Sequence, residues 1–477
     1  MPTKSMTLSQ RKRALIGSSN FARAMYREQY SSGIRKLMSI SYKTPSSAFF
    51  KEITNSDPSD WLLHHKEEGQ TFEQYFKSCL TGVNFNSGGC ESLKEKDCKT
   101  TISILPLGPF PSCNETKCDN SETYGENNQS KTNSTYPNYL LFWLKSYCET
   151  FFHTAKVEML SPVTLKEVAC DYRVNEFTGR FQLNASQILD YLRRTKTPCQ
   201  QCLVAVTMID LFPKPSWNFV FGLASTIRGS VGGVGIFSFC RYNNDFYETW
   251  SLREDVVRKY PDGSLDYSAL SNEQMEKQFP RINGILLLRA CKVMTHEVCH
   301  MFGLKHCIYM QCLMNGTNHL QESDRRPPQL CPVCLRKLQA ALNFDVLERY
   351  KALLKWTSSI YRKDVSDTYD KKQPTHRPSS TKRKERASAS PKKIKRKGSA
   401  SSQRSFKAPS RAITKHRTTD CVDSVSDMVS QIPCPPLKEF GNYKLWLREV
   451  IEFILSNGKP TFLSCHEDET PQIVDLV

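Results

Sequence analysis

Residues 296–306 have the sequence HEVCHMFGLKH, and this stretch decides the interpretation of the whole chain. His296 and His300 are four residues apart, so on a helix they lie on one face, one turn apart, and both imidazoles can reach one ion. Glu297 follows the first histidine directly, where its carboxylate can accept a proton without binding the metal. The spacing predicts an active-site helix that carries two metal ligands and a general base.

The residues that follow this helix complete the pattern. Gly303 permits the positive φ that ends a helix and turns the chain back. His306 then supplies a third ligand, and three protein ligands leave the fourth position of a tetrahedral zinc site open for water, which is typical of catalytic zinc. The alternative is a surface helix with two solvated histidines, and the glycine and the third histidine argue against it.

Four cysteines form a second pattern immediately after the third histidine. Cys307 and Cys312 are separated by four residues, and Cys331 and Cys334 by two. Two thiolate pairs joined by a loop are typical of a closed tetrahedral zinc site, which is structural. The alternative is four free thiols in a chain that contains 19 cysteines. We therefore expect two zinc ions per chain, one catalytic and one structural, with a four-cysteine subdomain at 307–334.

The composition limits the class of protein. The chain has 477 residues, of which 39% are hydrophobic, enough for a folded core with polar appendages. No apolar run approaches the ~20 residues that a membrane helix needs. The first 20 residues lack the apolar run of a signal peptide. We expect an intracellular protein, cytoplasmic, nuclear or both, with no membrane partner.

The net charge of +18 is concentrated in one segment. Residues 362–417 contain 19 lysines and arginines against four acidic residues, a surplus of 15. Because this segment has almost no large apolar side chains, we expect a disordered linker at 361–420. Residues 382–397 resemble a nuclear-localisation signal that would bind an import receptor, and a solvated tail without a partner is the alternative. Specific nucleic-acid binding is disfavoured because aromatic residues are not interleaved with the cations.

Signals for strands and helices alternate over 96–360, which we expect to be the catalytic domain, with an α/β fold. Residues 1–95 would form an N-terminal extension with short helices. Residues 421–477 would form a C-terminal segment whose amphipathic helix either packs on the main domain or binds a partner. The predicted strands are 101–105, 156–160, 168–173, 203–211, 219–221 and 235–239. The predicted helices are 139–152, 185–194, 285–304, 335–356 and 437–455.

Taken together, these residues resemble the archaemetzincin family. The family pattern is HExxHxxGxxH, followed at once by C-x4-C-x-M and then by CxxC, and every ligand position of that pattern is kept here. The resemblance covers roughly residues 46–360, and the length and basic tail favour the longer of the two vertebrate types. It implies a metzincin-like zincin fold: a mixed, twisted sheet packed on helices, with the HExxH helix beneath it. Met314 would form the Met-turn, an apolar floor under the histidines.

The resemblance also implies a function, that of a zinc metallopeptidase. Zinc on the three histidines would activate water, and Glu297 would act as the general base. Aminopeptidase-like action on short peptides is a further expectation. An extended peptide or protein substrate would pair with an edge strand at 235–239, for which a buried strand is the alternative. Two non-catalytic alternatives are a zinc-stabilised protein-binding module and a nuclear adaptor with an inactive protease fold.

Overall fold

The structure of the protein is a computed structural model. It describes residues 6–18, 26–43, 49–54, 56–80, 100–108, 110, 139–226, 231–247, 258–259, 265–266, 282–358 and 437–458. The described helices and strands belong to one compact unit, which is drawn from Met1–Tyr361 and Pro433–Val477. The predicted linker at 361–420 and the basic segment at 382–397 lie outside the described residues. The domain boundaries inferred from the sequence stay predictions.

The described chain begins and ends with helices, and its strands lie in the middle part. The α-helices are α1 (Leu8–Ile16), α2 (Ser32–Lys43), α3 (Trp61–His64), α4 (Phe72–Tyr75), α5 (Tyr139–Phe151), α6 (Leu165–Val168), α7 (Ala185–Thr195), α8 (Gly284–Met301), α9 (Leu320–Arg325), α10 (Pro332–Leu342), α11 (Val346–Thr357) and α12 (Gly441–Leu455). The strands are β1 (Thr101–Pro106), β2 (Lys156–Met159), β3 (Tyr172–Val174), β4 (Phe181–Asn184), β5 (Cys202–Thr207), β6 (Asp210–Phe212), β7 (Gly222–Thr226), β8 (Gly233–Ser238), β9 (Arg258–Lys259) and β10 (Leu265–Asp266). None of these helices combines the length and the apolar character that crossing a membrane would require.

The central sheet has five strands in the order β2-β1-β5-β8-β7. Four of them run parallel, whereas β7 pairs antiparallel with β8. A smaller sheet has the order β3-β4-β6, and β9 pairs with β10. The prediction of an α/β fold with a mixed sheet is therefore confirmed.

Strand β5 illustrates how the sheet is covered on both faces. All of its residues are buried. Successive side chains of a strand point to opposite faces, so Cys202, Val204 and Val206 join one apolar cluster. Leu203 and Ala205 join another. Helix α8 packs on the first face and α7 on the second, which explains why this strand is a continuous apolar run rather than an alternating one.

The proposed substrate-binding edge strand at 235–239 is wrong. This segment lies in β8, which is hydrogen-bonded to β5 on one side and to β7 on the other. All residues of β8 are buried, so its backbone is not available for an added strand. The edge strands of the five-stranded sheet are β2 and β7, and residues of β7 are partly exposed.

Other predicted elements differ in their limits. The run 203–211 is divided between β5 and β6, because the Thr207 hydroxyl accepts a hydrogen bond from the Ile209 N–H at 3.1 Å and bends the chain. The helix expected at 335–356 is two helices, since Asn343 adopts a φ of +54° after α10. The strands expected at 168–173 and 219–221 are shifted along the chain. The strand expected at 168–173 begins only at Tyr172, in β3. In place of the strand expected at 219–221, β7 begins at Gly222.

Helix α8 carries the HEVCH segment. The Asn283 side chain caps its beginning by accepting a hydrogen bond from the Leu286 N–H at 2.8 Å. The helix ends at Met301, whose carbonyl accepts a hydrogen bond from the Gly232 N–H at 2.8 Å. Gly303 then adopts a φ of +85°. A Cβ atom at this glycine would lie 2.7 Å from the sulfur of Cys79, so both the turn and the close packing require glycine here.

The C-terminal helix α12 packs against α11 and α2. Its predicted apolar face is buried at Leu447, Ile451 and Ile454. The Trp446 indole N–H donates a hydrogen bond to the Phe49 carbonyl at 3.0 Å. Of the two alternatives for this helix, packing on the main domain is the one observed.

Candidate metal centre

Three imidazoles converge at the end of α8. The Nε2 atoms of His296 and His300 are 3.0 Å apart. One ring nitrogen from each of these residues and from His306 can be chosen so that all three atoms lie within 4.8 Å of one another. His296 is buried, whereas His300 and His306 are partly exposed. The cluster therefore has a closed side against the core and a side that faces solvent.

Each imidazole is fixed through its other nitrogen, Nδ1. The acceptors are the Leu313 carbonyl for His296 at 2.8 Å, the Leu304 carbonyl for His300 at 2.6 Å, and Glu67 Oε1 for His306 at 2.8 Å. A carbonyl or carboxylate oxygen can only accept, so these contacts place the hydrogen on each Nδ1 and leave the lone pair on each Nε2. At His296 the guanidinium of Arg326, a donor 2.9 Å from the same Nδ1, opposes this tautomer. The three rings thus present lone pairs to a common centre.

The surroundings of His296 and His306 favour the neutral form of these two imidazoles. Burial lowers the pKa of His296 well below its usual range, and the guanidinium of Arg326 adds to the effect. Burial also lowers the pKa of His306. Arg326 Nη1 donates to the Asn315 carbonyl at 3.0 Å and lies 2.9 Å from His296 Nδ1. Neutral imidazole is the form that binds a metal ion.

Glu297 lies between the two helical histidines in sequence and is partly buried. Burial raises the pKa of its carboxyl group above the ordinary value, against the opposing influence of His300 and Arg326. A carboxylate with a raised pKa is a stronger base at neutral pH, which suits proton transfer.

The four cysteines form a second cluster, and all of their side chains are buried. Their sulfur atoms lie within 4.8 Å of one another, and the Sγ atoms of Cys307 and Cys331 are 3.6 Å apart. The N–H groups of Cys331 and Met314 donate to the Cys312 sulfur at 3.1 and 3.4 Å. Burial opposes ionisation of Cys307, but hydrogen bonds from the other three thiols outweigh it and hold the pKa of Cys307 well below its usual range.

One turn connects the two clusters. The Asn315 amide donates to the carbonyls of Cys307 and Met310 at 2.7 and 3.1 Å, and its oxygen accepts from the Cys312 N–H at 2.7 Å. The Leu313 carbonyl in the same turn holds the first histidine. The fully buried Met314 also lies in this turn. A change in the cysteine loop is therefore transmitted directly to the histidines.

Comparisons with known proteins identify the family of this chain. The model of peptidase family M54 matches residues 263–340, which include both clusters. Archaemetzincin-2 of Mus musculus is 40% identical over 345 residues, covering 72% of this chain and 84% of that protein. The chain belongs to the archaemetzincin family. Archaemetzincin-2 of Homo sapiens is 39% identical over 345 residues, with the same coverage of both proteins.

Archaemetzincin-1 of Mus musculus is 30% identical over 351 residues, covering 72% of this chain but 61% of that protein. Archaemetzincin-1 is thus the longer relative, and identity is higher with the shorter one, contrary to the expectation from length and tail. The crystal structure of an archaemetzincin from Methanopyrus kandleri is 20% identical, covers 52% of this chain and 98% of that one, and has a TM-score of 0.31.

Several residues of this archaemetzincin site were missed from the sequence. Gln70 bridges the turn after α8, because its amide donates to the Gly303 carbonyl at 3.1 Å and accepts from the Lys305 N–H at 3.2 Å. Glu67 and Arg326 contact His306 and His296, respectively, as described above. Glu67 lies 239 residues before His306 in the chain. No local spacing links such distant segments, so neither periodicity nor a motif could have identified them.

Proposed function

We propose that this archaemetzincin is a zinc metallopeptidase that hydrolyses peptide bonds. The observation that carries the proposal is the pair of Nε2 atoms, 3.0 Å apart, on His296 and His300. Both atoms keep their lone pairs, because both Nδ1 atoms donate to backbone carbonyls. Two lone pairs at this distance repel each other unless a cation lies between them.

The donor set fits zinc. Imidazole nitrogens on a tetrahedral zinc ion at ~2.0–2.1 Å would be about 3.3 Å apart, close to the observed separation. Three imidazoles leave one coordination position open, as in catalytic sites. Cysteine sulfurs on a second zinc ion at ~2.3 Å would be about 3.8 Å apart, which the 3.6 Å between Cys307 and Cys331 approaches. We therefore propose one catalytic and one structural zinc ion.

Each group in the proposed site has a separate role. When bound, zinc supplies a Lewis acid that polarises a carbonyl group and acidifies water. Glu297 takes a proton from the attacking water and passes it to the leaving amine, and its raised pKa favours this exchange. His296, His300 and His306 hold the metal. Met314 would serve as the Met-turn, which its full burial next to the Leu313 carbonyl supports.

An extended peptide would bind along β7 rather than β8. Strand β7 is antiparallel to its neighbour, lies at an edge of the sheet and packs against α8. An edge strand presents unpaired backbone groups to which a peptide can add as a further strand. Aminopeptidase-like action on short peptides is retained as part of the proposal, and it is supported by the family resemblance alone.

The test combines metal content with turnover. In the full-length protein, Glu297→Gln should retain two zinc ions per chain, because the glutamate is not a ligand. Turnover of a peptide that the wild type cleaves should fall by about 10²–10⁴-fold, the usual contribution of a general base. The measurements are elemental analysis and cleavage of a peptide panel followed by mass spectrometry.

A matched control is Glu68→Gln, since Glu68 is an exposed neighbouring carboxylate on the N-terminal segment. This variant should cleave peptides at the wild-type rate. Unchanged turnover in Glu297→Gln would refute the assigned base. A wild type that binds both metals and cleaves no peptide would favour a zinc-stabilised binding module instead.

A further inference from the structure

We propose that Glu67 is a positioning residue for the catalytic site, which fixes the orientation and the tautomer of His306 and so sets the metal affinity of the three histidines. This inference rests on the proposed function, because it assigns Glu67 a role toward the metal that the histidines would hold. Neither the family match at 263–340 nor the ligand pattern includes this residue.

His306 needs an anchor that the other two histidines do not need. His296 and His300 belong to α8, whose backbone fixes their separation. His306 follows the helix by several residues, beyond the turn at Gly303, and lies in irregular chain. A side chain on irregular backbone is oriented only by its contacts. Its Nδ1 makes one such contact, a hydrogen bond to Glu67 Oε1 at 2.8 Å.

Glu67 is itself held in place. The same oxygen accepts a second hydrogen bond, from the Trp61 indole N–H at 2.9 Å. The Trp61 ring stacks on His65 with ring centres 3.7 Å apart, and it meets the His306 ring edge-on at 5.3 Å. A Cβ atom at Gly316 would lie 2.5 Å from the indole nitrogen, so the indole packs directly on the backbone of the neighbouring turn. The carboxylate is thus fixed from two sides.

The chemistry of the contact explains why a carboxylate is present. A negative oxygen on Nδ1–H keeps the hydrogen there and increases the basicity of Nε2, the atom that would bind the metal. Losing such a partner usually lowers metal affinity or activity by about 10–100-fold. The anchors of the other two histidines are backbone carbonyls, which no substitution removes. Glu67 is the side-chain anchor among the three, so its contribution can be measured.

The experiment measures metal affinity in the full-length protein. Zinc is withdrawn by a chelator of known affinity, and its transfer is followed with a colorimetric indicator. The four-cysteine site serves as the reference within the same molecule. Glu67→Ala should weaken zinc binding at the histidines by about 10–100-fold and leave the cysteine site unchanged. Glu67→Gln should recover part of the loss, because an amide oxygen still accepts the Nδ1 hydrogen but carries no charge.

Two further variants make the result specific. Glu68→Ala removes the neighbouring exposed carboxylate and should behave as wild type. Trp61→Phe keeps an aromatic ring and removes the N–H that holds Glu67, so it should weaken zinc binding less than Glu67→Ala. If Glu67→Ala also loses the cysteine-bound zinc through misfolding, Glu67→Gln and Trp61→Phe decide the question. Wild-type affinity in both would then overturn the proposal.

The two proposals fail in different ways. If wild type holds zinc at the histidines and Glu67→Ala holds it equally well, the positioning role is refuted while the metallopeptidase proposal stands. If wild type binds a single zinc ion and His306→Ala still binds it, the histidine site binds no zinc, and both proposals fall together.

Discussion

The two ligand clusters are adjacent in sequence, since His306 and Cys307 are consecutive, yet they are built differently. All four clustered cysteines come from 307–334 and are buried. The histidine cluster depends on a carboxylate 239 residues away and leaves two of its three rings partly exposed. A closed site can be made from one short segment that folds around its metal. An open site must leave one side free, so distant residues have to hold its ligands from the remaining sides.

This difference predicts that a substitution in the cysteine cluster also disrupts the histidine cluster, whereas a substitution in the histidine cluster leaves the cysteine cluster intact. Cys331→Ser should release the structural metal and destabilise the turn that holds the first histidine, so both zinc ions are lost. A structural zinc ion contributes about 10 kcal/mol or more in small zinc domains, so we expect partial unfolding near room temperature. His306→Ala should lose only the catalytic metal and unfold at nearly the wild-type temperature. Zinc per chain and thermal unfolding measure both effects.

Cys291→Ser is the matched control for the cysteine change, because Cys291 is buried and belongs to neither cluster. It should keep both metals. The asymmetry would be disproved by a Cys331→Ser protein that retains the histidine-bound zinc, or by a His306→Ala protein that loses both.

The same contrast explains what the sequence could predict. Both residue clusters were identifiable because each motif is local: helical spacing places His296 beside His300, and paired cysteines need only a loop. Glu67 was not identifiable, because a long-range contact leaves no spacing pattern. Strands β1 and β5 were predictable from their apolar runs, whereas β7 was not predicted. Strand order was not predictable, since periodicity reports burial but not neighbours, and this is why 235–239 was placed at an edge.

The free energy of unfolding should depend on pH through a lysine that lies near the histidine cluster. Lys292 lies one turn before His296 on α8 and donates to the Ser323 and Asp324 carbonyls at 2.5 and 3.3 Å. Burial lowers the pKa of Lys292 to about 7, and the charge of Arg326 adds to the shift. Between that pH and the pKa of an unfolded lysine, near 10.4, the unfolded chain binds the extra proton. The free energy of unfolding should therefore rise with pH in this window.

Lys292→Met should remove that contribution. The difference in unfolding free energy between wild type and variant should increase by up to about 1.4 kcal/mol per pH unit above pH 7 and be flat below it. Denaturant titrations at fixed zinc concentration measure it. Because Lys292 donates to the Ser323 and Asp324 carbonyls and to none of the four cysteines, the affinity of the cysteine site should change little. If the difference did not depend on pH, Lys292 would have the same charge in the folded and the unfolded protein over this pH range.

The smallest effects are expected from substituting Asn315 and Gln70, whose side-chain amides hold the chain in place beside the two clusters. Asn315 makes three hydrogen bonds within the cysteine loop, and Gln70 makes two across the turn that leads to His306. A typical hydrogen bond contributes about 1 kcal/mol, so Asn315→Ala should cost about 2–3 kcal/mol and Gln70→Ala about 1–2 kcal/mol.

The two variants should also differ in which zinc site they weaken. Asn315 lies in the turn shared by both clusters, so Asn315→Ala should weaken the cysteine site and the histidine site together. Gln70 holds only the backbone before His306, so Gln70→Ala should weaken the histidine site alone. Chelator competition on both variants, with Gln74→Ala as a control amide from the same segment, distinguishes these outcomes. Equal loss at both sites in Gln70→Ala would mean that the two clusters are one cooperative unit, and the contrast between an open and a closed site would then have no energetic counterpart.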